Sequence, residues 1–332
     1  MTKKIIIHIG TYKTGTSSIQ YAMAQSRDEL KQQKIHYLDT GLHPTLNKHL
    51  GFYNLSFLSR HGKSLSPMWQ GVDIEGLARQ EIAESKCSTF VISEEELSVP
   101  DPIIPQKLSF LKELGQVQVV LCVRRQDKFL ESLYLQFMKE PGRRLRKTFG
   151  DFLNDPEIVK RAEFDRIADL WSDIYGRDNV TVLDFEVVKA ENKLVKNFSQ
   201  LFGVDATFEF PDVRRNTTIS HEMAEIIRRF SIVYPKMRRA NLTRALNQLD
   251  IAPAKEKYVP EPMAGILPRY QNSNARLKER YGVDLLKYSS SVETIPHAER
   301  LARNLRFEKR MNRIFMQMVK KAHKEQSWDF IK

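Results

Sequence analysis

Residues 3–20 read KKIIIHIGTYKTGTSSIQ. A basic pair leads into Ile5, Ile6 and Ile7, a continuous apolar run of the kind that a strand buried on both faces requires. A loop follows that offers two glycines, several hydroxyls and one ammonium, and a polar-started helix is predicted from near Thr16. A strand that delivers a loop onto a helix N-terminus is the order of parts that binds phosphate, because free backbone N–H groups and the helix dipole both face the anion. The anion-binding candidates are therefore Gly10, Tyr12, Lys13, Thr14, Gly15, Thr16 and Ser17. Gly15 lets the backbone approach a ligand without a Cβ. In the common nucleotide loop, G-x-x-x-x-G-K-[ST], lysine directly follows the second glycine. Here Lys13 stands two positions before Gly15, and Thr16 and Ser17 follow it.

The rest of the chain extends this beginning into a fold. Further apolar runs at Phe90–Ile92, Val119–Val123 and Val180–Leu183 alternate with helical stretches. That alternation predicts an α/β fold of three layers, a central parallel sheet with helices on both faces. Helices are expected over 17–34, within 41–67, and over 74–86, 104–114 and 194–202. Another is expected from Asp127 as N-cap, and 149–175 reads as mostly helical. Strands are expected over 35–38, 87–93, 116–123 and 179–185. The α/β core is expected over residues 1–230. Residues 231–332 read as a basic helical extension, ending in a helical stretch over 296–324. The extension is expected to pack on the core with its basic residues solvated; a membrane surface or another subunit would also suit it.

Composition narrows the partners. The 332 residues carry a net charge of +12, which favours anionic ligands: nucleotides, acidic glycans, nucleic acid or a membrane surface. The two cysteines, Cys87 and Cys122, have no metal-type spacing, and the short apolar run after Lys4 ends in His8 and Gly10, unlike a secretory segment. A soluble protein of the reducing cytoplasm is expected, with no metal ion.

Three further groups stand where chemistry would be. Glu94, Glu95 and Glu96 directly follow a predicted strand, and ligands of parallel sheets bind beyond the carboxyl ends of strands. Arg124 ends the next strand, and Ser132 lies eight residues later on the following helix. The polar stretch containing His43, Asn47, Lys48 and His49 suggests an acceptor-side wall, with Asn47 and His49 as candidate substrate contacts.

The loop with Lys13 before Gly15, and Arg124 and Ser132 at a separation of eight, resemble the sulfotransferases that use 3'-phosphoadenosine 5'-phosphosulfate (PAPS). The segment RRQDKFLESLYLQ is similar to the bacterial polysaccharide-type branch, and DNVTVLDFE with the later LFGV to the region after the donor site. The resemblance covers about the first two-thirds of the chain. It implies a P-loop-like fold in which the loop holds the 5'-phosphosulfate and Lys13 stabilises the leaving phosphate oxygen. Arg124 and Ser132 would hold the 3'-phosphate, and the late basic loop with Arg214, Arg215 and Asn216 would close over the nucleotide. Glu95, with Glu94 as alternative, would take the proton of a sugar or glycan hydroxyl. No nucleic-acid partner is implied. The family's K-G-x-x-G-x-W stretch is absent from the sequence, so no adenine contact is assigned. Two other readings stay open: a P-loop phosphotransferase, disfavoured by the lysine position, and a non-catalytic basic module for nucleic acid or membranes.

Overall fold

Three consecutive isoleucines need cover on both sides, and β1 (Lys4–His8) finds it at the centre of a five-stranded sheet. In the computed structural model, which describes residues 2–140, 145–190, 193–211, 219–233, 239–248, 263, 265–287 and 297–324, the strand order is β2-β3-β1-β4-β5. The other strands are β2 (Ile35–Tyr37), β3 (Thr89–Ser93), β4 (Gln116–Val123) and β5 (Val180–Asp184). Every pairing is parallel. On one face Ile6 joins Val91, Val120 and Cys122 in a cluster with Ile19 and Met23 of the helix Thr16–Gln25 and with Phe198 and Phe202. On the other face Ile5, Ile7, Phe90 and Ile92 are fully buried too, and the helix Phe164–Tyr175 packs along β4 and β5. The predicted α/β architecture with a parallel sheet is the one observed. Each fully buried isoleucine contributes about 1.5–3 kcal/mol, so the middle of the sheet is its most strongly held part.

The sheet topology locates a crevice. From β1 the chain runs outward to β2, and from β3 it later crosses past β1 to β4. The carboxyl ends of β3, β1 and β4 therefore frame the place where parallel sheets take ligands. His8 pairs with Ser93, so β1 and β3 end level, while β4 continues three residues beyond Val120, the partner of His8.

Some predicted boundaries move, for local reasons. The helix expected over 17–34 divides at Ser26, whose φ of −106° leaves the helical region; serine competes with the helical backbone for hydrogen bonds. Asp127 is not the cap of its helix but lies inside the first turn of Gln126–Lys139, where a carboxylate suits the dipole. The stretch 149–175 becomes three helices, Phe149–Leu153, Pro156–Arg161 and Phe164–Tyr175, because Pro156 favours a first helical position.

The chain divides into two compact units. The first comprises residues 1–125, 160–215 and 270–288 and contains the whole sheet. The second comprises 126–159, 216–269 and 289–332 and its described elements are helices. Within it the helix His297–Lys324 packs on the helix His221–Val233, burying Met311, Ile314 and Met318. Arg310 pairs with Glu222 and Arg229 with Glu308, both at 3.0 Å. Among the described residues no helix is long and apolar enough to cross a membrane.

Candidate functional site

The loop after β1 is built over a buried histidine. His8 is fully buried, with Nδ1 2.7 Å from Ser93 Oγ and its ring 4.4 Å from that of Phe198. Gly10 crosses directly above: a Cβ there would stand 2.3 Å from His8 Nε2. The chain then follows β4, with Thr11 N–H and Oγ1 both donating to the Cys122 carbonyl, at 3.0 and 2.9 Å. Replacing Gly10 by alanine is expected to destabilise the protein by about 1–3 kcal/mol through overpacking, read as a lower urea midpoint; an unchanged midpoint would contradict the close approach.

Beyond Thr11 the loop turns with two residues in the left-handed region, Lys13 at φ 65° and Gly15 at φ 77°. At the second a Cβ would also lie 2.1 Å from Leu194 Cδ2, the end of a side chain that would have to move aside. Thr14 Oγ1 donates to the Thr11 carbonyl at 2.7 Å, and Thr16 Oγ1 points to the same oxygen at 3.3 Å. The Thr16 hydroxyl, expected on a phosphate, is thus turned into the loop to brace it. Ser17 is exposed. Gly15 holds the N-cap position of the helix Thr16–Gln25 and offers no side-chain cap; its carbonyl takes the Ser18 and Ile19 N–H groups, and those of Thr16 and Ser17 stand at the helix start where an anion would meet them. What the loop presents to an anion is therefore backbone N–H, the Ser17 side chain and the half-buried Lys13.

The three glutamates after β3 have three different environments. Glu94 is fully buried, its backbone N–H donating to the His8 carbonyl at 3.0 Å and its Oε1 accepting from Glu96 N–H at 2.9 Å. Glu95 is almost buried; its Oε2 accepts from Gln20 Nε2 at 3.0 Å and its Oε1 from Lys48 Nζ at 2.9 Å. Lys48 also reaches Glu94 Oε1 at 3.4 Å. Glu96 accepts the hydroxyl of Tyr12, over whose ring the Arg161 guanidinium lies at 5.8 Å. Burial, reinforced by the neighbouring Glu95 charge, raises the Glu94 carboxyl well above the usual range. Burial acts on Glu95 in the same direction, but the Lys48 ammonium and the Gln20 amide outweigh it and hold this carboxyl below the usual range. Gln20 carries no site signal in the sequence, and Lys48 enters there only as part of the polar stretch 43–49, without a role of its own. The signal for Lys48 was indirect: two carboxylates at a buried strand end need a nearby cation.

The other candidates fall in separate places. His49 is fully buried; its Nδ1 accepts from Ser93 N–H at 3.0 Å and its Nε2 donates to the Leu38 carbonyl at 2.9 Å. Both ring nitrogens thus serve the backbone, in place of the acceptor contact expected, and burial lowers this imidazole to about 4. Asn47 adopts φ 56° and gives its carbonyl to the Tyr37 hydroxyl at 2.7 Å. Arg124 directly follows β4, with Nε donating to Glu186 Oε1 at 3.0 Å and its guanidinium 5.3 Å from the centre of the Phe185 ring. The same ring lies 3.5 Å from where a Gly15 Cβ would be, so Phe185 stands beside both the loop and Arg124. Ser132 lies on the helix Gln126–Lys139, which belongs to the second unit. Arg214, Arg215 and Asn216 lie outside the described residues.

No family model and no curated protein matches this chain. Among solved structures, a sulfotransferase from Alicyclobacillus acidocaldarius is similar to it at 15% identity, with 73% of this chain and 95% of that chain covered and a TM-score of 0.39. The reading of the site rests on the residues themselves.

Proposed function

We propose that this chain moves a sulfuryl group from PAPS to a hydroxyl of a sugar or glycan. The observation that carries the reading is that the loop and the carboxylates form one site: Tyr12 of the loop is bonded to Glu96, and Gln20 of the loop's own helix to Glu95. An anion held at the helix start thereby has a buried carboxylate beside it, which the transfer of a group to an alcohol needs.

The acceptor oxygen attacks sulfur in line, its proton passes to a carboxylate, and the bond from sulfur to the bridging phosphate oxygen breaks. The electron pair leaves on that oxygen, and 3',5'-ADP is released. Such chemistry depends on positioning and on neutralising charge as it develops. Backbone N–H groups of Thr14, Gly15, Thr16 and Ser17 hold the 5'-phosphate, and Lys13 meets the developing negative charge. Arg124, already oriented by Glu186 and Phe185, is proposed to bind the 3'-phosphate with Ser132, and Arg215 to lie over the nucleotide. Glu95 or Glu94 accepts the proton. No metal ion has a role in this scheme.

Calorimetric titration tests the reading. Binding of 3',5'-ADP without Mg²⁺ is the expected result, weakened when Arg124 is replaced by alanine. Preference for ATP with Mg²⁺ would favour a phosphotransferase instead, and binding of nucleic acid or anionic lipid alone would favour a non-catalytic basic module.

A further inference from the structure

Glu94 and Glu95 are adjacent in sequence and both withdrawn from solvent, so ionising one raises the cost of ionising the other. Lys48 is the cation that the described residues bring to both, and it does not treat them alike. Its ammonium is 2.9 Å from Glu95 Oε1 and 3.4 Å from Glu94 Oε1. The remaining oxygens differ more. Glu95 Oε2 receives the Gln20 amide, whereas Glu94 Oε2 is buried without a hydrogen-bond partner among the described residues. A buried oxygen with no donor is costly on a carboxylate and much less so on a neutral carboxyl.

Resting on the transfer reading above, we propose that Lys48 is a positioning residue that selects Glu95, and not Glu94, as the proton acceptor for the incoming hydroxyl. Lys48 stands in the turn just before the helix Leu50–His61, and the adjoining His49 anchors that turn to the end of β3, so the backbone from which the ammonium reaches the pair is fixed. The other groups around the pair leave this choice to Lys48. His8, below the pair on β1, is held neutral by burial. Tyr37 on β2 donates to the Asn47 carbonyl, His49 is committed to backbone, and Glu96 receives the Tyr12 hydroxyl. In the step itself the acceptor O–H bond breaks toward Glu95, the oxygen's pair forms the bond to sulfur, and the bridging oxygen departs with its pair. Glu94 stays protonated throughout and fills a position where a second negative charge would oppose the first.

The test is a ¹³C titration of the labelled glutamate carboxyls, with Glu94→Gln and Glu95→Gln to assign the signals. One carboxyl is expected to ionise below the usual range and to vanish in Glu95→Gln. In Lys48→Met it should move upward by about one pH unit or more, a tenfold loss in acidity. The acid limb of kcat should move with it, while affinity for 3',5'-ADP stays within about twofold, since Lys48 touches the carboxylates and not the loop. Lys48→Arg should restore the profile. An unmoved carboxyl in Lys48→Met, or a low-ionising signal that vanishes in Glu94→Gln instead, overturns the inference. Should Lys48→Met fail to fold, the same shift is read on Lys48→Gln. A wild-type chain that binds no 3',5'-ADP defeats the transfer reading and the acceptor role with it. Donor binding with an unmoved carboxyl defeats the role of Lys48 alone.

Discussion

Lys13→Ala is expected to slow the proposed sulfuryl transfer about a hundred- to a thousandfold, the usual loss when one preorganised group that meets transition-state charge is removed. The fold should be unaffected. Lys13 lies in a loop, at φ 65°, and alanine meets the same left-handed strain as lysine, so the two chains differ little in backbone cost. Lys13→Gly sharpens the test. Glycine releases the strain, so its stability should equal or exceed that of the parent while its rate falls as far as that of the alanine variant. Rates of labelled-sulfate transfer, read beside thermal midpoints, check both. Near-normal turnover in either variant would remove Lys13 from the reaction.

A net loss of stability in mild acid is the second expected effect. His8 and His49 are both fully buried, and burial lowers them to about 3 and about 4 from 6.5. Between the folded and unfolded values the unfolded chain binds the protons, so stability rises with pH in that window and falls as acid is added. Each imidazole contributes about 1.5 kcal/mol between pH 6.5 and 5, so the pair by itself should cost about 3 kcal/mol over that interval. Glu94 works the other way, because its raised carboxyl favours the folded state at low pH and disfavours it as pH rises above the usual carboxylate value. Glu81 and Glu95, held low, contribute above the usual range and lose that contribution only in stronger acid. Kept protonated in the folded chain, Glu94 offsets about one of the two imidazoles over this window, so a net loss of about 1–2 kcal/mol remains. Urea unfolding at pH 7 and pH 5 of the parent and of Glu94→Gln, which lacks the opposing carboxyl, separates the two contributions, and equal stabilities of Glu94→Gln at the two pH values would show that the imidazoles accept a proton in place.

Where the signal is local, the sequence is a good guide. Gln116–Val123 is found as a strand over the residues expected, because a buried strand is a continuous apolar run that needs no distant partner to be recognised. Gly203 likewise takes φ 85° after the last turn before it, as a closing glycine should. Signals that depend on what lies across the crevice are less legible. The Thr16 hydroxyl looked available until the loop folded back and placed the Thr11 carbonyl 3.3 Å away. His49 looked like a contact for an acceptor, yet the end of β3 takes one ring nitrogen and the Leu38 carbonyl the other.

By itself, the sequence determined that KKIIIHIGTYKTGTSSIQ runs from a buried strand through a loop to a helix start, and that glutamates and an arginine stand at other strand ends. Those are properties of short windows, set by apolar runs, glycines and helix starts. The tertiary structure alone decided which of these ends meet. Placing β3 beside β1 sets Glu94 against the His8 carbonyl, and Gln20 and Lys48, from different parts of the chain, converge on Glu95. Glu94 and Glu95 are identical neighbours in sequence, and only the fold makes them different. It does so by surrounding one with donors and leaving an oxygen of the other buried without any among the described residues, a distinction written in long-range contacts that no short window contains.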